Sequence, residues 1–120
     1  MAEPADPTRF RCKHCGKLPP GGMSPELMQL VGDLEEFFGV TFTINSGYRC
    51  PAHNAKTKGA SPKSRHMHGD AADLKVIPSV MDAATLADVA RMFGADGVGT
   101  YAKRGFVHVD TGGRKASWVG

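Results

Sequence analysis

Leu27, Leu30, Val31, Leu34 and Phe38 recur at helical spacing, which predicts an amphipathic helix with one apolar stripe. Its start is marked by Ser24-Pro25-Glu26: a hydroxyl to cap the first amides, proline at the first helical position, and an acid at the positive end of the dipole. Gly39 supplies the stop. Val40 to Asn45 then alternates apolar and polar, the pattern of a strand with one buried face. A long loop follows, with one short helix near Pro51 to Lys56. Residues 71–77 read as a second strand ended by Pro78-Ser79, and residues 82–93 as a second long helix with Leu86, Val89, Ala90 and Phe93 on one face and Gly94 as terminator. Two further strands, 96–101 and 105–111, are joined by Ala102-Lys103-Arg104, and Ser117-Trp118-Val119 adds a short final one after the turn at Thr111-Gly112-Gly113. Residues 1–9 read as a flexible tail and 10–120 as one domain. The order of elements predicts an α+β fold, an antiparallel sheet with helices packed on one face.

Alternation along the strands sorts their side chains. Ala71, Asp73 and Lys75 share one face, and Ala72, Leu74 and Val76 the other. His108 and Asp110 likewise stand opposite Val107 and Val109. Two strands therefore carry an apolar face for the helices and a polar face left open.

Composition changes this picture little. Apolar residues are 41% and charged residues 22% of 120, an ordinary globular balance, so global disorder is excluded. No apolar run approaches the roughly 18 residues of a membrane span. The start, Met1 to Asp6, has neither a basic nor an apolar stretch, so no secretory signal is expected. Synthesis in the cytoplasm follows, and an extracellular substrate would require another agent of delivery or a longer parent chain. The formal charge of +3 favours an anionic polymer, nucleic acid or bacterial wall, although an ordinary surface with extra lysines accounts for it equally. A local basic rim at Lys56, Lys58, Lys63 and Arg65 is better marked.

The chemistry concentrates in Ser64-Arg65-His66-Met67-His68-Gly69-Asp70-Ala71-Ala72-Asp73 and in Gly105-Phe106-Val107-His108-Val109-Asp110. Imidazole and carboxylate are zinc ligands, and small residues let the backbone fold tightly between them. Three protein ligands, His66, Asp73 and His108, with a fourth position for water describe a catalytic zinc site. His68 is an alternative to His66. Hydrolysis also needs a base and a cation for the oxyanion. Asp110 is the nearest carboxylate on the ligand face, and either serves as base or only orients a ligand histidine. Arg49 is the best cation, with a structural ion pair as its other reading.

Cys12-x-x-Cys15 and Cys50-x-x-His53 suit a second, structural zinc. One disulfide with a leftover thiol, or three reduced cysteines, are the other readings. His14 reads as a plain hydrogen-bonded side chain unless those cysteines bind metal.

The ordered set Ser46-Gly47-Tyr48-Arg49, Ser64-x-His66-x-x-Gly69-x-Ala71-x-Asp73 and His108-Val109-Asp110-Thr111-Gly112 resembles the zinc D-alanyl-D-alanine peptidases. That family includes bacterial carboxypeptidases, D-Ala-D-Ala dipeptidases, murein endopeptidases and phage endolysins, on the fold shared with the hedgehog signalling domain. The resemblance runs from about Phe10 to Trp118. It implies His66, Asp73 and His108 as zinc ligands, Arg49 on the substrate carboxylate or scissile carbonyl, and Ser46, Tyr48 and Ser64 shaping the site. Many members carry the base three residues before the last histidine ligand, where this chain has Gly105, which moves the base to Asp110. The implied partner is peptidoglycan peptide, met at the cell wall or periplasm by a bacterial, phage or prophage enzyme. No nucleic-acid or membrane partner is expected, and the chain is expected to act as a monomer. A zinc-stabilised wall-binding module that does not cleave is the alternative.

Overall fold

The computed structural model describes residues 2–57, 60–61 and 63–120. Helix α1 spans Pro25–Phe38, with the Ser24 hydroxyl accepting from the Leu27 amide at 3.2 Å and Gly39 closing it in the left-handed conformation. Helix α2 is the short Pro51–Lys56, and α3 spans Ala83–Met92 under an Asp82 cap. The strands are β1 Ile44–Ser46, β2 Ala71–Lys75, β3 Gly97–Tyr101, β4 Phe106–Asp110 and β5 Ala116–Val119. They form one sheet in the order β1-β2-β4-β3-β5. The first four pair antiparallel, and β5 joins β3 in parallel. The sheet is therefore mixed at one edge, within the expected α+β architecture.

The helices cover the predicted face. Leu27, Val31 and Leu34 of α1 and Leu86 of α3 are fully buried with Leu74, Val98, Val107 and Val109 of the sheet. Burying each such side chain contributes roughly 1.5–3 kcal/mol. β4 lies between β2 and β3, and all five of its residues are buried. The register sets Asp73 of β2 directly opposite His108 of β4. Facing residues in an antiparallel pair have Cβ atoms about 4.5–5.5 Å apart, so pairing alone brings these two side chains together.

Two sequence expectations are corrected. The strand expected at Val40–Asn45 begins only at Ile44. Phe42 is buried, yet its amide donates to Glu35 Oε2 at 2.7 Å and its carbonyl accepts from Arg9 Nη2 at 2.9 Å. Side chains thus take the place of a neighbouring strand, and Arg9 and Glu35 are themselves joined by two hydrogen bonds.

Of the expected flexible tail, residues 2–9 lie against α1, while Met1 falls outside the described residues. The Ala5 amide donates to Met28 O at 2.9 Å and the Ala2 amide to Asp33 Oδ1 at 3.0 Å. Asp6 caps a 3-10 turn over Pro7–Phe10 that drives the Phe10 ring into the core. The tail lacks periodicity because it docks through backbone groups. Lys58 of the expected basic rim also lies outside the described residues.

Candidate metal centre and substrate cleft

Three short segments converge on the open face of the sheet. Ser64 caps a 3-10 turn over Arg65–His68, its hydroxyl accepting from the His66 amide at 3.2 Å, and Gly69 ends the turn at φ +73°. That tight return places His66 above β2, buried, while His68 points to solvent and is no ligand. His66, Asp73 and His108 present one ligand atom each, all within 4.8 Å of one another. His66 Nε2 is 3.3 Å and His108 Nδ1 3.1 Å from Asp73 Oδ1.

The outward nitrogen of each ring decides what the inward one can do. His66 Nδ1 is 2.8 Å from the carbonyl of Gly47, which can only accept, so Nδ1 carries the proton. His108 Nε2 is 2.8 Å from Asp110 Oδ2 and is protonated by the same reasoning. With the rings neutral, the form that binds metal, both inward nitrogens offer lone pairs toward a carboxylate oxygen, and a cation between them would take the place that a proton on His108 Nδ1 holds otherwise. With metal–ligand distances of about 2.0–2.2 Å, tetrahedral geometry spaces N and O ligands by roughly 3.4 Å, close to the separations here. The donor set fits zinc, with ligand histidines held from outside in the usual way.

Charge at the site follows the same geometry. Burial pushes the Asp73 carboxyl up, but contacts with His108 and His66 outweigh it and hold the group far below the usual carboxylate range. Burial opposes a charge on His108, yet Asp110 and Asp73 together raise that imidazole to about 9. Burial also lowers the Arg49 guanidinium from its ordinary value, with Asp73 partly offsetting it.

Asp110 differs from the expectation of a free base. Oδ2 accepts from His108, and Oδ1 accepts from the amides of Gly97 at 3.1 Å and Gly112 at 3.2 Å. A Cβ at Gly97 would collide with this carboxylate, so glycine there makes room for it. Burial raises the Asp110 carboxyl, but His108 and those amides bring it below its ordinary value.

A cleft of about 360 Å³ opens over the trio, lined in part by Arg49, Ser64, Arg104 and Trp118. Arg49 Nη2 donates to Ser64 Oγ at 3.0 Å, and its Nε is buried with no partner among the described residues. Lys63 and Arg65 of the expected rim line the cleft, Arg65 paired with Asp70, whereas Lys56 does not. Tyr48, expected at the substrate, is a core residue instead, and Ser46 pairs opposite Asp73 on β1 without lining the cleft.

The far wall was not foreseen. Trp118 of β5 lies opposite Gly99 in register, its ring 5.2 Å from that of His108 and its indole N–H donating to Tyr101 Oη at 2.8 Å. Tyr101 stacks on Phe106 at 4.5 Å, and the Arg104 guanidinium sits 5.0 Å over the Phe106 ring. The one available signal was a lone tryptophan in a short strand.

The cysteines form a second cluster. Cys12, Cys15 and Cys50 are free thiols whose sulfurs lie within 4.8 Å of one another. His53 Nδ1 is 3.5 Å from Cys12 Sγ, and His14 Nδ1 is 3.7 Å from Cys50 Sγ. Burial pushes the Cys12 thiol up, but the amides of Cys50, Cys15 and His14 outweigh it and bring the group to about 5.

No helix among the described residues is long and apolar enough to cross a membrane. No curated protein matches the chain. A family model described as Peptidase M15 matches residues 8–110, a span that holds Arg49, the His66–Asp73–His108 trio and Asp110.

Proposed function

Because the chain belongs to the peptidase M15 family, we propose that it is a zinc metallopeptidase that hydrolyses peptide bonds in bacterial peptidoglycan. Its targets are stem peptides or cross-links, cut in the manner of a D-Ala-D-Ala carboxypeptidase or endopeptidase. The observation that carries this reading is the trio itself: two imidazoles with outward protons engaged, and one carboxylate, all aimed at a shared point on the floor of an open cleft. Zinc held there would polarise the scissile carbonyl and lower the pKa of a bound water toward about 7.

The protein's own groups bind and orient. The Gly47 carbonyl fixes His66 and the Asp110 carboxylate fixes His108, each holding a proton on the nitrogen that faces away from the trio. Ser64 anchors one arm of Arg49, whose guanidinium lines the cleft and supplies positive charge for a carboxylate or a developing oxyanion. Arg104 and Lys63 add positive charge at the rim, suited to peptides rich in carboxylates. Action at the cell wall or periplasm, by a bacterial or phage-encoded enzyme, follows from this substrate. Incubation with defined muropeptides tests the proposal. Cleavage lost on chelation and restored by zinc is the expected result. Binding without any product, with zinc present, would favour a non-catalytic wall-binding module instead.

Asp110 acts in this scheme as a positioning residue, since its Oδ2 holds His108 Nε2 while its Oδ1 is fixed by the amides of Gly97 and Gly112. In Asp110→Asn the amide can turn its NH2 toward His108 Nε2, which shifts the imidazole proton onto Nδ1, the ligand atom. Zinc affinity at the trio should then fall roughly 10- to 100-fold, as when other outer partners of metal ligands are lost. Unchanged zinc affinity with cleavage abolished, measured by chelator competition and product assay, would return the base role to Asp110.

A further inference from the structure

We propose that Cys12, Cys15, Cys50 and His53 bind a second zinc ion, which ties the N-terminal knuckle to the segment bearing Arg49. The proposal is independent of the peptidase reading and rests on a separate set of side chains.

Two segments distant in sequence deliver the ligands. Cys12-Lys13-His14-Cys15-Gly16 is a tight turn in which the Gly16 amide donates to Cys12 O at 2.7 Å. Gly16 has φ +73°, a conformation that side-chain-bearing residues adopt at a cost, so glycine lets both thiols point the same way. Cys50 and His53 come from the first turn of α2 and the residue that caps it. Backbone amides are aimed at the sulfurs: Cys50 N donates to Cys12 Sγ at 3.5 Å, and His53 N to Cys50 Sγ at 3.4 Å. Donors placed this way favour thiolates, the form that binds metal.

The spacing also suits zinc. With Zn–S about 2.3 Å and Zn–N about 2.0–2.1 Å, a tetrahedral site separates sulfur from nitrogen by roughly 3.6 Å. Cys12 Sγ and His53 Nδ1 are 3.5 Å apart. His53 is half-buried on α2, whereas His14 is exposed on the knuckle and stacks against His53 with ring centroids 5.8 Å apart. The three sulfurs form the cluster, with His53 beside Cys12 and His14 beside Cys50, and the half-buried His53 on α2 is the ring proposed to complete it. Three thiolates would leave the site with one net negative charge, in a stretch that also carries Arg11, Lys13 and Lys17. A disulfide would use only two of three converged sulfurs; a metal uses all of them.

The clip bears on the cleft through the backbone. Cys50 directly follows Arg49, and the Tyr48 amide donates to Phe10 O at 2.8 Å, two residues before Cys12. Gly47, whose carbonyl orients His66, packs so closely on Phe10 that a Cβ there would collide with it. Fixing the knuckle therefore fixes both the arginine and the carbonyl behind the first histidine ligand.

Cobalt binding to the full-length His66→Ala/Asp73→Ala double variant tests the site without any contribution from the trio. The expected result is one cobalt per chain with a thiolate-to-metal charge-transfer band in the near ultraviolet. Absence of that band in a folded variant overturns the proposal. The unaltered protein provides the second measurement: native mass spectrometry should find two zinc ions, with all three cysteines protected from iodoacetamide until chelator is added. One zinc ion with freely alkylated cysteines overturns it equally. His53→Ala should weaken cobalt binding by more than the roughly 10- to 100-fold lost with an outer partner, and His14→Ala should not; the reverse order would refute His53 as the ligand. None of these readouts depends on cleavage, so failure here and failure of the peptidase reading are told apart.

Discussion

Asp73→Asn is expected to yield a folded protein that holds no zinc at the His66–Asp73–His108 trio and cleaves no wall peptide. Asp73 is the only anion of the three, and its Oδ1 is the point on which both imidazoles converge. Asparagine keeps the shape but removes the charge. Its amide can also turn an NH2 toward the two lone pairs, satisfying them without a metal. The backbone should hold, because Asp73 sits in the middle of β2, paired with β1 on one side and β4 on the other, and its neighbours Ala72 and Leu74 supply the core contacts. Circular dichroism should match the parent, while zinc counted by native mass spectrometry should fall by one ion per chain. Retention of that ion together with cleavage would remove Asp73 from the ligand set. The parent site should also lose zinc as the pH falls, since protons compete for the ligand nitrogens and for the carboxylate.

Arg49→Ala should lower kcat/KM by roughly 10²- to 10³-fold, or about 2.7–4 kcal/mol, the usual loss when a preorganised donor to a developing oxyanion is removed. The guanidinium is well placed for that work. One nitrogen is anchored on Ser64 and the residue lines the cleft, so its charge would meet a substrate already oriented. Lysine is a poor replacement. It carries the charge but not the planar fork, and it cannot hold Ser64 and a substrate oxygen in a fixed relation. Arg49→Lys should therefore recover only a small part of the loss. The division of the effect identifies the contact: a fall mainly in kcat points to the oxyanion, and a rise mainly in KM to a substrate carboxylate. Cleavage by Arg49→Ala at the parent rate would exclude the residue from the site.

Much of this arrangement is legible in the amino-acid sequence. The apolar stripe of α1, the Ser24 cap and the Gly39 stop are local features, and local physics decides them. Alternation on β2 and β4 likewise told which side chains share a face, so His66, Asp73 and His108 could be grouped by chemistry and order alone. The errors fall where a residue's role depends on distant partners. Tyr48 stands next to Arg49 in a motif but turns into the core. Val40 to Thr43 alternates like a strand, yet at Phe42 the side chains of Arg9 and Glu35 supply the hydrogen bonds that a neighbour would have provided.

Residue types, their order and their faces were thus settled by the amino-acid sequence, because periodicity is a property of consecutive residues. Tertiary structure alone decided register and saturation. It paired Asp73 with His108, brought Trp118 beside that imidazole, and closed the Cys12–Cys15 turn onto Cys50. It also assigned the inward nitrogens, Nε2 of His66 and Nδ1 of His108, through the acceptors behind them. Asp110 shows the difference most clearly. Its place beside His108 was plain from two residues' spacing, but how firmly its carboxylate is held depended on the amides of Gly97 and Gly112. A hydrogen bond from across the sheet leaves no mark on local periodicity, and here such bonds support the proposed positioning role of Asp110.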